Sequence, residues 1–324
     1  MKRFAVLAHW LAKAALMTCA GIALAQQAYP SKPIRIITPY PPGGGTTPPA
    51  RLVAQKLTEI WGQQVIVDNR GGGNTVIGSE VVAKSPPDGY TLLFQTGTHV
   101  VTPLLLPTPY DPNKDFAPVA TVSLSETALV VHPSVPARTL QQLIALAKSK
   151  PGQLNYATSG SGSVTHLAIE LVNMLAGIKM QQVPYKGSGP ALTDLLGGQV
   201  QVYLGVTANV VPHVKTGRLI ALAVSGETRL PALPQVPTYT EAGLPGFKVK
   251  VWTGIFAPAG TPKEIVEKLS AEINRFLATP DFREKLAGLA LDPFISTPEQ
   301  FAALLKTDTS DFVKVIKAAN IKLD

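Results

Sequence analysis

The chain has 324 residues, of which 45% are hydrophobic and 15% charged, with a formal net charge of +8 and one cysteine. Basic residues are scattered among acids, as in Lys263-Glu264 and Glu267-Lys268, and no basic run interleaves with aromatic residues. That distribution excludes a nucleic-acid groove, and a length of about 300 residues makes two lobes the expected organisation.

At the start of the chain, Lys2 and Arg3 precede a largely apolar stretch that runs to Leu24, where Ala23-Leu24-Ala25 offers a small-x-small cleavage signal. A secretory signal peptide over residues 1–25 is expected. His9, Trp10 and Lys13 interrupt the run and leave fewer uninterrupted apolar residues than the roughly 20 that span a bilayer, so a membrane anchor is the weaker reading. Leu16-Met17-Thr18-Cys19 loosely resembles a lipoprotein cleavage box, but Thr18 is bulkier than the small residue required and the apolar stretch continues past Cys19. Lipid anchoring at Cys19 is therefore not expected. Cleavage after Ala25 removes the only cysteine, and with it any disulfide, thiol nucleophile or Cys-based metal site.

The mature part alternates β-rich apolar runs with helical patterns. Ile34 to Thr38 reads as strand, Pro48 to Ile60 as helix, Val65 to Val67 as strand, Ile77 to Lys84 as helix and Thr91 to Phe94 as strand. This order predicts βαβ units and a mostly parallel sheet. A second set follows: a helix from Thr139 to Lys148 with Thr139 as N-cap, a strand from Leu154 to Ala157, and a helix from Val164 to Leu175. Strand Met180 to Val183, helix Pro190 to Leu196 and strand Val200 to Leu204 complete it. The end of the chain turns helical. Thr261-Pro262-Lys263-Glu264 and Thr297-Pro298-Glu299-Gln300 each place Thr at N-cap and Pro at the first helical position, with apolar stripes behind them. The fold class expected is α/β, with two similar units in series.

Four Gly-rich segments each follow a strand-like run and precede a helix pattern. The first, Tyr40-Pro41-Pro42-Gly43-Gly44-Gly45-Thr46-Thr47, offers backbone amides and a helix start suited to an anion. No lysine follows its glycines, so the phosphate-loop pattern fails. The second is Asn69-Arg70-Gly71-Gly72-Gly73-Asn74-Thr75, and the third is Ser159-Gly160-Ser161-Gly162-Ser163. The third lacks the last glycine of a dinucleotide fingerprint and the acid that should follow it, so no nucleotide cofactor is expected. The fourth is Tyr185-Lys186-Gly187-Ser188-Gly189-Pro190. One such loop is an ordinary βα turn, whereas four at strand ends point to a ligand crevice outside the carboxyl ends of the strands.

Thr96 and His99 stand at the end of the Thr91 strand and could face that crevice, with a structural role for His99 equally open. For His166, helix-end hydrogen bonding competes with ligand contact. No histidine pair has metal-binding spacing, and Asp111 with Asp115 suits a turn better than a calcium site. Neither G-x-S-x-G nor S-x-x-K occurs anywhere in the chain, which weighs against a hydrolase built on Ser159, Ser161 or Ser163. The chain is not expected to be an enzyme.

Several motifs together resemble the Bug family, the extracytoplasmic solute receptors of tripartite tricarboxylate transporters. They include Tyr40-Pro41-Pro42-Gly43-Gly44-Gly45-Thr46, Asn69-Arg70 with its glycines, Asp88-Gly89-Tyr90-Thr91-Leu92-Leu93, and Tyr110-Asp111-Pro112. Lys114-Asp115-Phe116-Ala117-Pro118-Val119, His166-Leu167-Ala168 with Glu170, Val183-Pro184-Tyr185-Lys186-Gly187, Gly197-Gly198-Gln199-Val200 and Phe256-Ala257-Pro258 extend the resemblance across the mature chain.

The resemblance implies a periplasmic, two-lobed Venus-flytrap binding protein, monomeric and without a cofactor. Lobe one would be residues 28–127 plus 254–324 and lobe two 128–253, with hinges near 125–131 and 249–256. The implied ligand is a small carboxylate, gripped by backbone amides of the lobe-one loops and passed to membrane transporter components. A receptor that signals through a partner instead is the alternative. Candidate ligand-binding residues are Tyr40, Pro42, Gly43, Gly44, Gly45, Thr46 and Thr47 from the first loop, and Asn74 and Thr75 from the second. Thr96, His99, Ser159, Ser161, Ser163, His166, Tyr185, Lys186, Gly187 and Thr207 complete the set.

The match departs from the family where an Asp commonly follows the loop threonine, because Thr47 stands there. It departs again where a polar or acidic residue follows Gly198-Gln199-Val200, since Leu204-Gly205-Val206 is apolar until Thr207. Without those carboxylates a ligand ammonium would lack a partner, so the expected ligand is a di- or tricarboxylate or an aromatic acid without an ammonium group.

Overall fold

The computed structural model describes residues 29–42, 45–247, 249, 251–289, 291–318 and 320–321. The expected signal segment with Cys19 therefore lies outside the described residues, as do Gly43 and Gly44 of the first loop.

Two sheets organise the chain. The first is built from β1 (Ile34–Thr38), β2 (Val65–Asn69), β3 (Thr91–Thr96), β4 (Phe116–Ser125), β10 (Val251–Pro258) and β11 (Asp292–Pro293), in the order β11-β4-β10-β3-β1-β2. The second is built from β5 (Thr127–Val131), β6 (Asn155–Thr158), β7 (Gln181–Pro184), β8 (Val202–Val206) and β9 (Ile220–Val224), in the order β7-β6-β8-β5-β9. β1 is parallel to β2 and β3, and β10 is antiparallel to both β3 and β4, so β1 to β4 share one direction. In the second sheet β5 alone runs against its neighbours. β5 and β10, both reversed, are the strands by which the chain enters each sheet from the other: β5 follows β4 across Glu126, and β10 follows β9, while the short β11 is also antiparallel to β4.

Strand alternation explains how helices cover both faces. Ile34, Ile36, Leu92, Phe94 and Ile255 point to one side, against α1 (Thr47–Trp61), α8 (Lys263–Leu277) and α9 (Pro280–Gly288). Ile37, Leu93 and Phe256 point to the other, where Val100 and Val101 of α3 (Thr98–Leu105) and Phe301 of α10 (Pro298–Ala318) complete the packing. Strands buried on both faces read as continuous apolar runs, as these do. In the second sheet Ala128, Val130 and Tyr203 pack with α6 (Ser188–Leu196) and α7 (Thr207–Lys215). Leu129, Val131 and Tyr156 face α4 (Leu140–Ser149) and α5 (Val164–Ala176). The remaining helix, α2 (Val76–Ala83), follows a single 3-10 turn over Gly73–Thr75.

α10 belongs to the first sheet by sequence but packs on both α3 and α5, so one hydrophobic core runs from sheet to sheet through Phe301, Leu305, Val164 and Leu167. Trp252 of β10 donates its indole N–H to Asp308 of α10 at 2.6 Å. Burial raises the Asp308 pKa above the ordinary carboxylate value.

The helix punctuation reads correctly in two places and differs in a third. Thr297 accepts from the Gln300 amide at 3.2 Å while Gln300 Oε1 accepts from the Thr297 amide at 2.9 Å, a reciprocal capping box. Thr139 caps α4 by accepting from the Gln142 amide. Thr261 does not cap α8: its hydroxyl donates back to Pro258 at 2.7 Å, and the helix begins at Lys263 after Pro262. α3 and α7 are among the helices that the pattern does not foresee. Each contains a proline, Pro103 and Pro212, and is rich in β-branched residues, so propensity argues against a helix that tertiary packing imposes.

Candidate functional site

Two contiguous cavities open between the carboxyl ends of the two sheets. One, about 1060 Å³, is bounded by Asn69, Gly71 to Val76, Thr98, Ser159 to Ser161, Ser163 and Tyr185. The other, about 330 Å³, is bounded by Gly45, Thr46, Pro48, Pro49, Ser123, Ser125, Thr253, Val206, Asn209, Leu289 and Leu291, among others. Tyr40, Pro41, Pro42, Thr98, Ser159, Lys186 and Gly187 border both. The larger cavity is flanked by α2 and α3 and the smaller by α1, so the pair straddles the place in the first sheet where β1 and β3 send their helices to opposite faces.

Six helices begin at these cavities: α1, α2, α3, α5, α6 and α7. None of the six carries an acidic residue in its first turn, and only α5 has a side-chain cap, Ser163 accepting from the His166 amide. The three C-terminal helices, which begin away from the cavities, do carry such acids: Glu264, Asp281 and Glu299. α4 also lacks one, and there the Thr139 hydroxyl closes the helix end. Uncapped N–H groups and positive dipole ends are thus concentrated on the cleft. Among the described residues no Asp or Glu lines either cavity, and Lys186 is the one charged lining residue. Among the same residues Lys186 takes part in no ion pair. Such a lining attracts anions and gives an ammonium no partner.

The second loop has a strained backbone. Gly72, Gly73, Asn74 and Thr75 have φ of 134°, 54°, 52° and 75° in succession. A left-handed β-branched residue is costly, and the Thr75 hydroxyl is buried without a hydrogen-bond partner. The Thr46 hydroxyl, at the start of α1, is likewise buried and unpartnered. Tyr40 is fixed by Gln95, whose side-chain oxygen accepts its hydroxyl, and by Thr96 at 2.8 Å. Burial pushes its pKa up to about 12, so it acts as a neutral hydrogen-bonding group.

Of the expected site residues, Tyr40, Pro42, Gly45, Thr46, Asn74, Thr75, Thr96, Ser159, Ser161, Ser163, Tyr185, Lys186 and Gly187 line one or both cavities. Four others do not reach them. Thr47 is buried, and its hydroxyl accepts from the Asn69 amide at 2.9 Å; the same Asn69 nitrogen donates to Thr38 Oγ1 at 2.6 Å and to the Tyr40 carbonyl at 3.0 Å, tying the first loop to β2. His99 lies on α3, not at a strand end, stacked 4.2 Å from Phe256 with Nε2 3.0 Å from the Pro112 carbonyl. His166 accepts from the Gly162 amide at 3.1 Å and stacks on Tyr156. Thr207 donates its amide to the Glu126 carbonyl at 2.9 Å. Asp111 and Asp115 close a turn, Asp111 accepting from the Asn113 and Lys114 amides, and no cluster of metal-ligating side chains occurs among the described residues.

Sequence reasoning missed Asn209, Ser123, Ser125 and Thr253. The last three lie where β4 and β10 pair, a contact between residues far apart in the chain: Ser123 and Thr253 hydroxyls are 2.7 Å apart. Asn209 sits in the first turn of α7, a helix the pattern conceals.

Burial holds His99 and His166 neutral, each with its pKa lowered to about 4 from 6.5. Between those values the unfolded chain binds protons that the folded chain does not. Stability is therefore expected to fall as pH drops from about 6.5 toward 4, by about 2 to 3 kcal/mol per histidine. Urea unfolding at pH 7 and pH 4.5 measures this, and His166→Gln should show a smaller fall than the wild type.

The geometry agrees with what relatives show. A family model for the tripartite tricarboxylate transporter family receptor matches residues 49–321. The protein BugT of Bordetella pertussis is 37% identical over 309 residues, covering 94% of this chain and 95% of that protein. A solved R. palustris protein with adipate superposes with a TM-score of 0.86 at 34% identity, covering 91% of this chain and 99% of the other. MatC from Rhodopseudomonas palustris with bound malate gives a TM-score of 0.82 at 34% identity, covering 89% and 100%. With its two-sheet α/β fold, a cleft arranged to attract anions and matches over most of its length, the chain belongs to the tripartite tricarboxylate transporter receptor family that includes the Bug proteins.

Proposed function

We propose that the mature protein is a periplasmic receptor that captures a small carboxylate without an ammonium group between two lobes and delivers it to a tripartite transporter. The observation that carries this is the cleft itself: among the described residues, six helix starts without first-turn acids, one lysine and no lining carboxylate. Adipate and malate, named with the two solved relatives, are dicarboxylates of this kind. The lobes are residues 28–127 plus 254–324 and residues 128–253, moving about the crossings near 125–131 and 249–256. Secretion uses the segment ending near Ala25, and the receptor acts as a monomer.

Closure brings the jaws together at glycines. A Cβ on Gly160 would stand 3.3 Å from Asn74 Oδ1, and one on Gly187 would stand 3.7 Å from Pro41 Cγ. Each is a contact between one sheet's loops and the other's.

A thermal-shift screen of di- and tricarboxylates and aromatic acids tests the proposal. A true ligand at about 100 times its dissociation constant adds roughly 2.7 kcal/mol of stability. Silence from every carboxylate would overturn it.

A further inference from the structure

Each jaw sends one asparagine to a glycine of the other. From the loops of the first sheet, Asn74 places Oδ1 3.3 Å from where a Cβ on Gly160 would stand. From the second sheet, Asn209 in the first turn of α7 places Nδ2 3.7 Å from where a Cβ on Gly45 would stand. The two contacts belong to different cavities, Asn74 lining the larger and Asn209 the smaller. Neither carboxamide has a hydrogen-bond partner among the described residues; Thr102 donates to the Asn74 backbone carbonyl at 3.0 Å and leaves its side chain to the cleft. Both ends of the Asn74 contact have specialised backbone. Asn74 is left-handed at φ 52°, a region that asparagine enters more readily than most residues, and Gly160 is at φ 142°, which suits glycine alone. A side chain on Gly160 would also crowd the Tyr185 carbonyl, 3.6 Å from its Cβ. The strained turn therefore holds a carboxamide against a position that must stay bare.

Resting on the two-lobe closure proposed above, we infer that Asn74 and Asn209 are a reciprocal pair of latches, each bonding the backbone of the opposite jaw, that hold the jaws shut at both cavities. A carboxamide carries a donor and an acceptor, so it serves either main-chain group of an opposed loop, and a glycine there lets it come close. Main-chain partners are the same whatever acid is bound. The two asparagines thus set how long the jaws stay closed, and not which acid they hold.

Asn74→Gly and Asn209→Ala test the inference, and each suits its local backbone: glycine in a left-handed turn and alanine in a helix. Produced from residue 26, the chain has no cysteine of its own. Dyes on Lys84→Cys and Lys215→Cys, exposed at the ends of α2 and α7 away from the cleft, then report the separation of the lobes by energy transfer. Without ligand, each asparagine variant should show a longer separation than the parent. Stopped-flow release of succinate and of adipate should speed up alike, about fivefold per asparagine, the worth of one net hydrogen bond, and about 25-fold in the double variant. Unchanged separation in both variants would overturn the latches. Faster release of one acid with the other unaffected would make the asparagine a ligand contact, overturning the inference while leaving the carboxylate site standing. If no carboxylate binds the parent protein, the carboxylate reading falls, and the ligand-free separation still decides the latches.

Discussion

Thr75→Asp should leave the unliganded protein at least as stable as the wild type while weakening carboxylate binding about a hundredfold. Thr75 occupies the left-handed region at φ 75° immediately before α2, with its hydroxyl buried and unpartnered. Aspartate enters that region more readily than a β-branched residue. Its carboxylate would also sit among the free N–H groups of a helix start that has no acid in its first turn. The variant thus supplies from within the charge that the cleft is arranged to receive. A ligand carboxylate about 6 Å away then meets a repulsion of about 3 kcal/mol at an effective dielectric near 20, or about two orders of magnitude in affinity. Titration with adipate and thermal unfolding of the free protein measure the two halves, and unaltered adipate affinity would remove the second loop from the site.

Gly45→Leu should weaken binding by about tenfold or more and reduce the compaction that ligand produces, whereas Gly45→Ala should do little. A Cβ at Gly45 would lie 3.7 Å from Asn209 Nδ2 and 4.0 Å from Val206 Cγ2, ordinary contact across the cleft. The further carbons of leucine would crowd that contact or fill the smaller cavity that Gly45, Val206 and Asn209 border, opposing both ligand and closure. Forcing extra carbons into a packed contact costs about 1 to 3 kcal/mol. If that cost falls on the closed arrangement alone, apparent affinity drops in proportion to the lost closed population. Small-angle scattering with and without adipate reads the compaction directly. Equal compaction in Gly45→Leu and wild type would show that this glycine does not set the approach of the jaws.

Gly45 also illustrates what the sequence could and could not disclose. Gly-rich loops between strand runs and helix caps are local features, so the positions of β1, β2, β6 and their helices, and the loops that line the cleft, are legible from spacing alone. Whether a glycine serves a ligand or the opposite jaw depends on a partner about 160 residues away in Asn209, which periodicity does not encode. The same limit applies to Ser123 and Thr253, joined only by the antiparallel pairing of β4 and β10. Thr47 misled for a related reason: its neighbour Thr46 lines the cavity, while Thr47 turns inward to Asn69. His99, open in sequence to either a crevice or a structural role, takes the structural one because Thr98-His99-Val100-Val101-Thr102-Pro103 has strand-like composition yet folds as helix, which swings the imidazole into the core beside Phe256. The lack of an acid is legible in the sequence at Thr47, but its physical basis is broader, lying in six helix starts left without acidic first turns.

On the proposed function, the cleft holds a carboxylate and its described lining offers an ammonium no partner. Paired calorimetric titrations that differ only in the amino group measure it most directly: succinate against aspartate, and glutarate against glutamate. The acid without the amino group should bind more tightly in each pair, by about tenfold or more, because a desolvated ammonium without a counter-charge costs over about 1.4 kcal/mol. Tighter binding of aspartate or glutamate than of succinate or glutarate would contradict it.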